Sequence, residues 1–157
     1  MLHTSSRHNP LPVIGWREWV ALPELGITGI KAKIDTGARS SAIHAFDVEV
    51  FQQQGKKMVR FKVHPLQRDS ICVVAGEVPL LDERVVRNSG GHGQLRAVIE
   101  TSVNIGGQVW PIELTLTNRD VMGFRMLLGR QAIRHRFLVD SGRSYLQSSR
   151  RTHRPKA

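Results

Sequence analysis

The residue of this sequence that is best suited to chemistry is Asp35, the first residue of an Asp-Thr-Gly sequence. Gly37 lets the backbone pass close to the Asp35 carboxylate, so that backbone N–H groups can donate hydrogen bonds to it. Thr36 places a short hydroxyl beside the acid. Aspartate and glycine are also the commonest residues of ordinary turns, for conformational reasons alone. The pattern therefore predicts a turn built around a carboxylate, and it leaves open whether that carboxylate reacts.

The residues before Asp35 predict the strand that must position it. Ile30, Ala32 and Ile34 alternate with two lysines, which is the period of a half-buried strand. The alternation stops at Asp35, and the small residues 40–42 let the chain leave the turn closely packed. We therefore expect Asp35 to lie at the end of a strand.

A second motif lies near the end of the chain, where the apolar run 126–128 ends in Gly129-Arg130. Residues 131–136 after it favour a short helix. An apolar strand ending in Asp-Thr-Gly-Ala, followed much later by two apolar residues and Gly-Arg, resembles the paired signature of the retropepsins. These are the aspartic proteases built from a single lobe.

The segments KAKIDTGARSSAIHA and TLTNRDVMGFRMLLGR narrow the resemblance. They look like a bacterial family of RimK-associated, retropepsin-like aspartic peptidases, often labelled ATP-dependent zinc proteases. The similarity covers roughly residues 14–146. It implies an all-β fold, a closed retropepsin-like barrel of one lobe with one short helix after Gly129-Arg130. Short strands at close spacing independently predict an all-β barrel or sandwich.

The resemblance assigns Asp35, Thr36 and Gly37 to catalysis. Aspartic proteases need two carboxylates that share one proton around a water molecule. Asp140, in an Asp-Ser-Gly sequence, is a candidate second acid, but too few residues follow Gly142 to build a second lobe. We interpret Asp140 as a turn residue. The second acid is then Asp35 of another subunit, which predicts a homodimer with one shared site.

Other site residues follow from the same resemblance. Ala38, Gly129 and Arg130 would support the catalytic loop from behind. Viral retropepsins carry an acid or amide four residues after the catalytic aspartate, whereas this chain has Arg39. The Arg39 guanidinium could bind a substrate carboxylate in a forked geometry, or it could form a salt bridge to a local acid.

A glycine-rich segment between two predicted strands contains three further candidates for substrate binding, Gly90, Gly91 and His92. Such a tip is a flexible hairpin, and its place in the chain order matches the flap of a retropepsin. A plain surface hairpin explains the composition equally well.

The remaining strands are predicted from alternation and from the turn residues between them. We expect a hairpin loop around Gly55 and a tight turn at Gly106-Gly107. The other expected strands are residues 13–22, 46–51, 58–64, 71–75, 83–87, 94–103, 108–116 and 124–128, with a last hairpin formed by 137–140 and 143–146.

Length and composition favour one domain that folds without disulfides. The chain has 157 residues and one cysteine, Cys72. We expect a loose N-terminal arm at 1–12, the retropepsin-like domain at 13–147 and a basic tail at 148–157. The sequence shows no secretory signal and no apolar run long enough for a membrane span, so a cytoplasmic location is expected.

The formal net charge of +10 predicts an anionic partner. The resemblance implies a peptidase that acts on acidic peptides, such as the glutamate tails that RimK-type ligases add to a ribosomal protein. The charge and the resemblance agree on an acidic substrate. A non-enzymatic basic barrel that binds RNA or the ribosome remains an alternative, with nucleic acid as a secondary partner.

A zinc-dependent peptidase is a further alternative, with His44, His64 or His92 as ligands. The sequence contains neither H-E-x-x-H nor C-x-x-C, and it lacks the phosphate-binding loop of ATPases. We therefore expect no metal and no cofactor.

Overall fold

A computed structural model of the protein describes residues 10–66, 71–87, 90–118 and 123–148. Within these ranges the chain is almost entirely β-structure, with one short α-helix after Gly129, as predicted. The elements are β1 Val13–Gly15, β2 Arg17–Leu22, β3 Ile27–Asp35, β4 Ser41–His44, β5 Phe46–Gln53, β6 Lys56–Val63, β7 Val74–Pro79, β8 Asp82–Arg87, β9 Gly93–Ile105, β10 Gln108–Thr117, β11 Met126–Gly129, α1 Arg130–Ile133 and β12 Leu138–Asp140.

Six of these strands close into the predicted barrel. They follow one another in the order β10, β4, β11, β3, β2, β9, and β9 pairs back onto β10. The inward side chains form the hydrophobic core, because alternate residues of each strand point to the same face. Ile30, Ala32 and Ile34 of β3 are buried as their alternation predicts.

Strand β11 fixes the end of β3. It lies between β3, to which it runs parallel, and β4, to which it runs antiparallel. All four residues of β11 are buried, which explains its continuous apolar sequence. The pairing places Gly129 level with Asp35, so the two sequence motifs meet in space.

A separate three-stranded sheet contains β5, β6 and β7 in that order. The β5–β6 turn has positive φ angles at Gln54 and Gly55, 54° and 75°, which a two-residue hairpin of this kind requires. Gly106 and Gly107 form the predicted tight turn between β9 and β10 in the same way.

Several predicted strands differ from the structure, and two of the differences have a clear cause. Residues 13–22 form two strands because the chain changes partner at Trp16: β1 pairs with β12, and β2 pairs with β3. The strand predicted at 71–75 begins only at Val74, where pairing with Val63 starts. Ile71 is 91% exposed, so its apolar character does not mark a core position.

The predicted hairpin of 137–140 with 143–146 is wrong. Strand β12 pairs in parallel with β1 instead. Asp140 ends β12 as a turn residue, since its Oδ1 accepts a hydrogen bond of 2.9 Å from the Gly142 N–H. This turn directs the following residues along β1 and β2.

Glu18 holds that last segment, although no local pattern of the sequence distinguishes it. Its side chain is fully buried. Its carboxylate accepts hydrogen bonds from the N–H groups of Gly15, Leu146 and Gln147 at 2.7, 2.7 and 3.1 Å. The Ser148 hydroxyl donates a fourth, at 2.7 Å. Four donors satisfy a carboxylate that burial would otherwise destabilise.

Of the predicted arm and basic tail, only residues 10–12 and Ser148 lie within the described ranges. Residues 1–9 and 149–157 lie outside them, and the domain bounds remain a prediction. No helix in the described part of the chain has the length and apolar character needed to span a membrane.

Candidate active site

Asp35 is the last residue of β3, and its carboxylate is held from one side. Oδ1 accepts hydrogen bonds from the backbone N–H groups of Gly37, at 3.0 Å, and Ala38, at 3.2 Å. Among the described residues, nothing donates a hydrogen bond to Oδ2. The side chain is half-buried. One oxygen is thus fixed by the loop, while the other remains available to a water molecule or a second acid.

Glycine leaves room for close contacts at two positions around this carboxylate, and at Gly129 the contacts are with backbone atoms. A Cβ on Gly37 would lie 3.2 Å from Asp35 Oδ1 and crowd the oxygen that the loop binds. A Cβ on Gly129 would lie 2.5 Å from the Ser40 carbonyl oxygen and 2.9 Å from that of Ala38. These are backbone atoms that cannot turn aside. The close contact between β11 and the Asp35 loop therefore depends on glycine.

Arg130 and Ser41 connect the loop to its surroundings. The backbone N–H of Arg130 donates to the Ala38 carbonyl at 2.8 Å. The guanidinium Nη1 of Arg130 donates to the carbonyls of Thr36 and Gly37, at 3.4 and 3.3 Å. The buried Ser41 hydroxyl accepts a hydrogen bond of 3.0 Å from the Gly129 N–H. The run of small residues after Asp35 indicated close packing here, but it did not single out the Ser41 hydroxyl.

Thr36 and Arg39 both have exposed side chains. The Arg39 backbone is anchored, because its carbonyl accepts a hydrogen bond from the Gln131 N–H at 3.2 Å. Within the described ranges, the Arg39 guanidinium forms no ion pair with an acid. The Arg39 guanidinium is therefore exposed to solvent, and Arg39 directly follows the Asp35 loop in the sequence.

The hairpin of β8 and β9 contains the predicted flap residues at its tip. Strand pairing runs up to Arg87 and Gly93, and Arg87 Nη1 donates to the Gly91 carbonyl at 3.1 Å. Asn88 and Ser89, part of the same predicted tip, lie outside the described residues. Gly90, Gly91 and His92 are exposed and form no hydrogen bond or ion pair with Asp35. Their role in substrate binding remains a prediction.

Two of the three histidines proposed as zinc ligands contact other groups. His44 Nδ1 lies 2.9 Å from Arg125 Nη1. His64 stacks on Phe46 with ring centroids 4.5 Å apart, and its Nδ1 is 3.2 Å from the Cys72 carbonyl. In the described part of the chain, no three His, Cys, Asp or Glu side chains lie together as a metal site would require.

The sequence matches a protein family described as RimB-like, retropepsin-like aspartic endopeptidase RimB, over residues 13–150. Proteins from Desulfotalea psychrophila and Parasynechococcus marenigrum, both described as probable alpha-L-glutamate ligases, are each 49% identical to it over 128 residues. Each match covers 82% of this chain and 28% of the relative. The chain thus spans under a third of the length of these relatives.

A protein of unknown function from Legionella pneumophila has a similar crystal structure. The two superpose with a TM-score of 0.72 at 25% sequence identity. The superposition covers 87% of this chain and 98% of the Legionella chain. The barrel described above is therefore also found in an experimental structure.

Proposed function

Because the chain belongs to the RimB-like family of retropepsin-like aspartic endopeptidases, we propose that it cleaves peptide bonds with two Asp35 carboxylates, one from each subunit of a homodimer. The observation that carries this proposal is the asymmetric environment of Asp35. Backbone N–H groups bind Oδ1 and leave Oδ2 open. We take Asp140 as a turn residue and not as a second acid of the same chain, because both of its oxygens have partners: Oδ1 accepts from the Gly142 N–H, and Oδ2 lies 3.9 Å from Arg143 Nε.

The paired carboxylates would work with one proton between them. The ionised Asp35 takes a proton from a bound water as the water oxygen attacks the peptide carbonyl carbon. The protonated Asp35 polarises the carbonyl oxygen and supplies its proton. The resulting tetrahedral species collapses, the carbon–nitrogen bond breaks, and the amine leaves with a proton from the dyad. Gly37 and Ala38 N–H groups keep the acid oriented throughout.

The surface next to Asp35 supports a second copy as the source of the second acid. Ile34 N–H donates to the Trp16 carbonyl at 2.8 Å, so the short β1–β12 sheet adjoins the end of β3. Val13 and Leu138 pair directly in that sheet and are 37% and 55% exposed. Covering such apolar side chains would favour association.

The charge of the chain supports an acidic substrate. The net charge of +10 would attract anionic peptides, and the exposed Arg39 guanidinium follows the catalytic loop. Similar sequence forms part of longer chains described as probable alpha-L-glutamate ligases. These facts support glutamate-rich peptides as the substrate class. The tails that RimK-type ligases add to a ribosomal protein in the cytoplasm are the natural example.

Mixing subunits tests the shared site. Wild-type chains are incubated with a ninefold excess of the Asp35→Asn chain until subunits have exchanged, and cleavage of a glutamate-rich peptide is measured. If each site needs both wild-type carboxylates, activity should fall to about a tenth of that of the same amount of wild type alone. Unchanged activity would show that each chain works alone. Cleavage of no peptide at all would instead favour the RNA-binding alternative.

We expect Arg39→Ala to reduce cleavage of glutamate-rich peptides selectively. A charge-assisted forked contact contributes about 1.5–3 kcal/mol, so kcat/KM for acidic peptides should fall at least about tenfold, while neutral peptides change little. Lys57→Ala is the control, since it removes the same charge from the separate β5–β7 sheet. Equal losses on both peptides would make Arg39 structural.

A further inference from the structure

A cleft of about 420 Å³ lies beside α1, outside the residues already assigned to catalysis. Strands β9 and β10 form one wall, and the end of the Asp35 loop and the residues around α1 form the other. The residues that matter for its chemistry are Ser40, Trp110, Gln131, Arg134, Arg136 and Glu100. Two guanidinium groups, an amide and a hydroxyl are groups that can donate hydrogen bonds to a carboxylate.

The cleft adjoins the catalytic loop through direct backbone contacts. Ser40, on its wall, follows Arg39 in the chain. The Gln131 N–H donates to the Arg39 carbonyl, and the Arg130 N–H donates to the Ala38 carbonyl. An extended peptide advances about 3.3 Å per residue. A substrate bound at Asp35 could therefore place a residue some positions from the cleaved bond in this cleft.

Arg136 is positioned before any ligand arrives. Its guanidinium carbon lies 4.7 Å from the centre of the Trp110 ring, within the range of a cation–π contact. Trp110 is itself fixed, being 5% exposed and donating its indole N–H to the Ala132 carbonyl at 3.0 Å. A guanidinium already held on an indole face loses less freedom when it binds a carboxylate.

Two glutamates on the wall limit what the cleft can accept. Glu100 and Glu113 stand opposite each other in the β9–β10 ladder. Glu113 is compensated by Arg84, whose Nη2 lies 2.9 Å from it and whose pKa is raised by hydrogen bonds to Asp82 and Glu113. Glu100 forms no ion pair within the described residues, so it keeps a negative charge on the wall. The Glu100 charge would repel a carboxylate at that part of the wall, so the part of the cleft that can bind an anion is the side of Arg134 and Arg136.

We propose that this cleft is a distal subsite that binds the side-chain carboxylate of one glutamate of the peptide substrate through Arg134 and Arg136. The proposal rests on the proposed peptidase function for the identity of the ligand. It gives the enzyme a second point of acid recognition besides Arg39. Acidic residues would then matter at a position remote from the cleaved bond.

Binding in the inactive Asp35→Asn protein tests the subsite separately from catalysis. The probe is a fluorescent peptide of glutamates, compared with a set in which each glutamate in turn is replaced by glutamine. One position should weaken binding about tenfold when it becomes glutamine. Arg136→Gln should cause a similar loss with the all-glutamate peptide, and no additional loss with the peptide altered at that position. Arg134→Gln, at an exposed side chain, checks the result if Arg136→Gln folds poorly.

Arg60→Gln is the matched control, because Arg60 also stacks on an aromatic ring, 4.1 Å from the centre of Phe51, but lies on the other sheet. It should leave the position dependence unchanged. Additive losses from Arg136→Gln and every peptide substitution would overturn the subsite. If the losses are coupled and the wild-type protein cleaves no peptide, the subsite is retained and the peptidase function is rejected. If the wild-type protein cleaves peptides and the losses are not coupled, the peptidase function is retained and the subsite is rejected.

Discussion

Asp35→Asn should remove peptidase activity and leave the barrel intact. The asparagine side chain keeps an oxygen where Gly37 and Ala38 donate their hydrogen bonds to Oδ1. It cannot, however, exchange a proton with the attacking water or with a second acid. General acid–base catalysis contributes about 10²–10⁴-fold, so kcat should fall at least about 100-fold. Thermal unfolding and sedimentation of the variant should match those of the wild type.

Asp140→Asn is the matched control for this loss. Asp140 begins the chain's Asp-Ser-Gly sequence, and asparagine can retain the Oδ1 contact with Gly142 that forms its turn. Activity should therefore survive in Asp140→Asn. Full activity in Asp35→Asn would reject the aspartic mechanism. If a chelator removes wild-type activity and added zinc restores it, the mechanism is zinc-dependent, and His44 is the first candidate ligand to test.

The pH dependence of cleavage should show the sharing of one proton. The dyad is active only in its singly protonated form, so the rate should fall on both sides of an optimum. The fall in rate on the acidic side and the fall on the basic side both reflect the pair of carboxylates, and neither can be assigned to one subunit. A rate that stays level on the acidic side would be incompatible with a base that must be ionised.

The central strands and turns of this fold could be predicted from local sequence, because residue alternation, apolar runs and turn glycines all indicated the same elements. The alternation that ends at Asp35 specifies β3, and the apolar run ending at Gly129 specifies a fully buried strand. The two glycines at 106–107 specify a turn that few other residues allow. What local patterns do not contain is which strands pair. The register of Gly129 with Asp35 is a long-range fact, and only the resemblance to retropepsins pointed to it.

The features that the sequence analysis missed all depend on residues far apart in the chain. From local sequence, Glu18 is expected at an exposed position of a strand. In the structure it is buried, because residues 146–148 lie over it and donate hydrogen bonds to its carboxylate. The subsite cleft combines β9, β10, α1 and the loop after Asp35. The strand predicted at 71–75 shows the converse error, since an apolar local run with Ile71 at its start is largely exposed.

Glu18→Ala should strongly destabilise the folded state, because the Glu18 side chain is fully buried. Removing the carboxylate leaves the donors of Gly15, Leu146, Gln147 and Ser148 without their acceptor. A buried donor without an acceptor costs about 1–3 kcal/mol, and water can reach some of these four. We expect the free energy of unfolding to fall by about 3–5 kcal/mol, measured as a lower denaturant midpoint.

Glu24→Ala is the control, because the Glu24 carboxylate is exposed and accepts one hydrogen bond, from the Ser102 N–H at 2.6 Å. Its replacement should cost no more than about 1 kcal/mol. Glu18→Gln should fall between the two, since it keeps one acceptor oxygen but turns an NH₂ group toward N–H donors. A loss below about 1 kcal/mol in Glu18→Ala would mean that the last segment is not held by this carboxylate. Because Trp16 connects the same region to Ile34 beside Asp35, the destabilised protein should also lose activity before it unfolds globally.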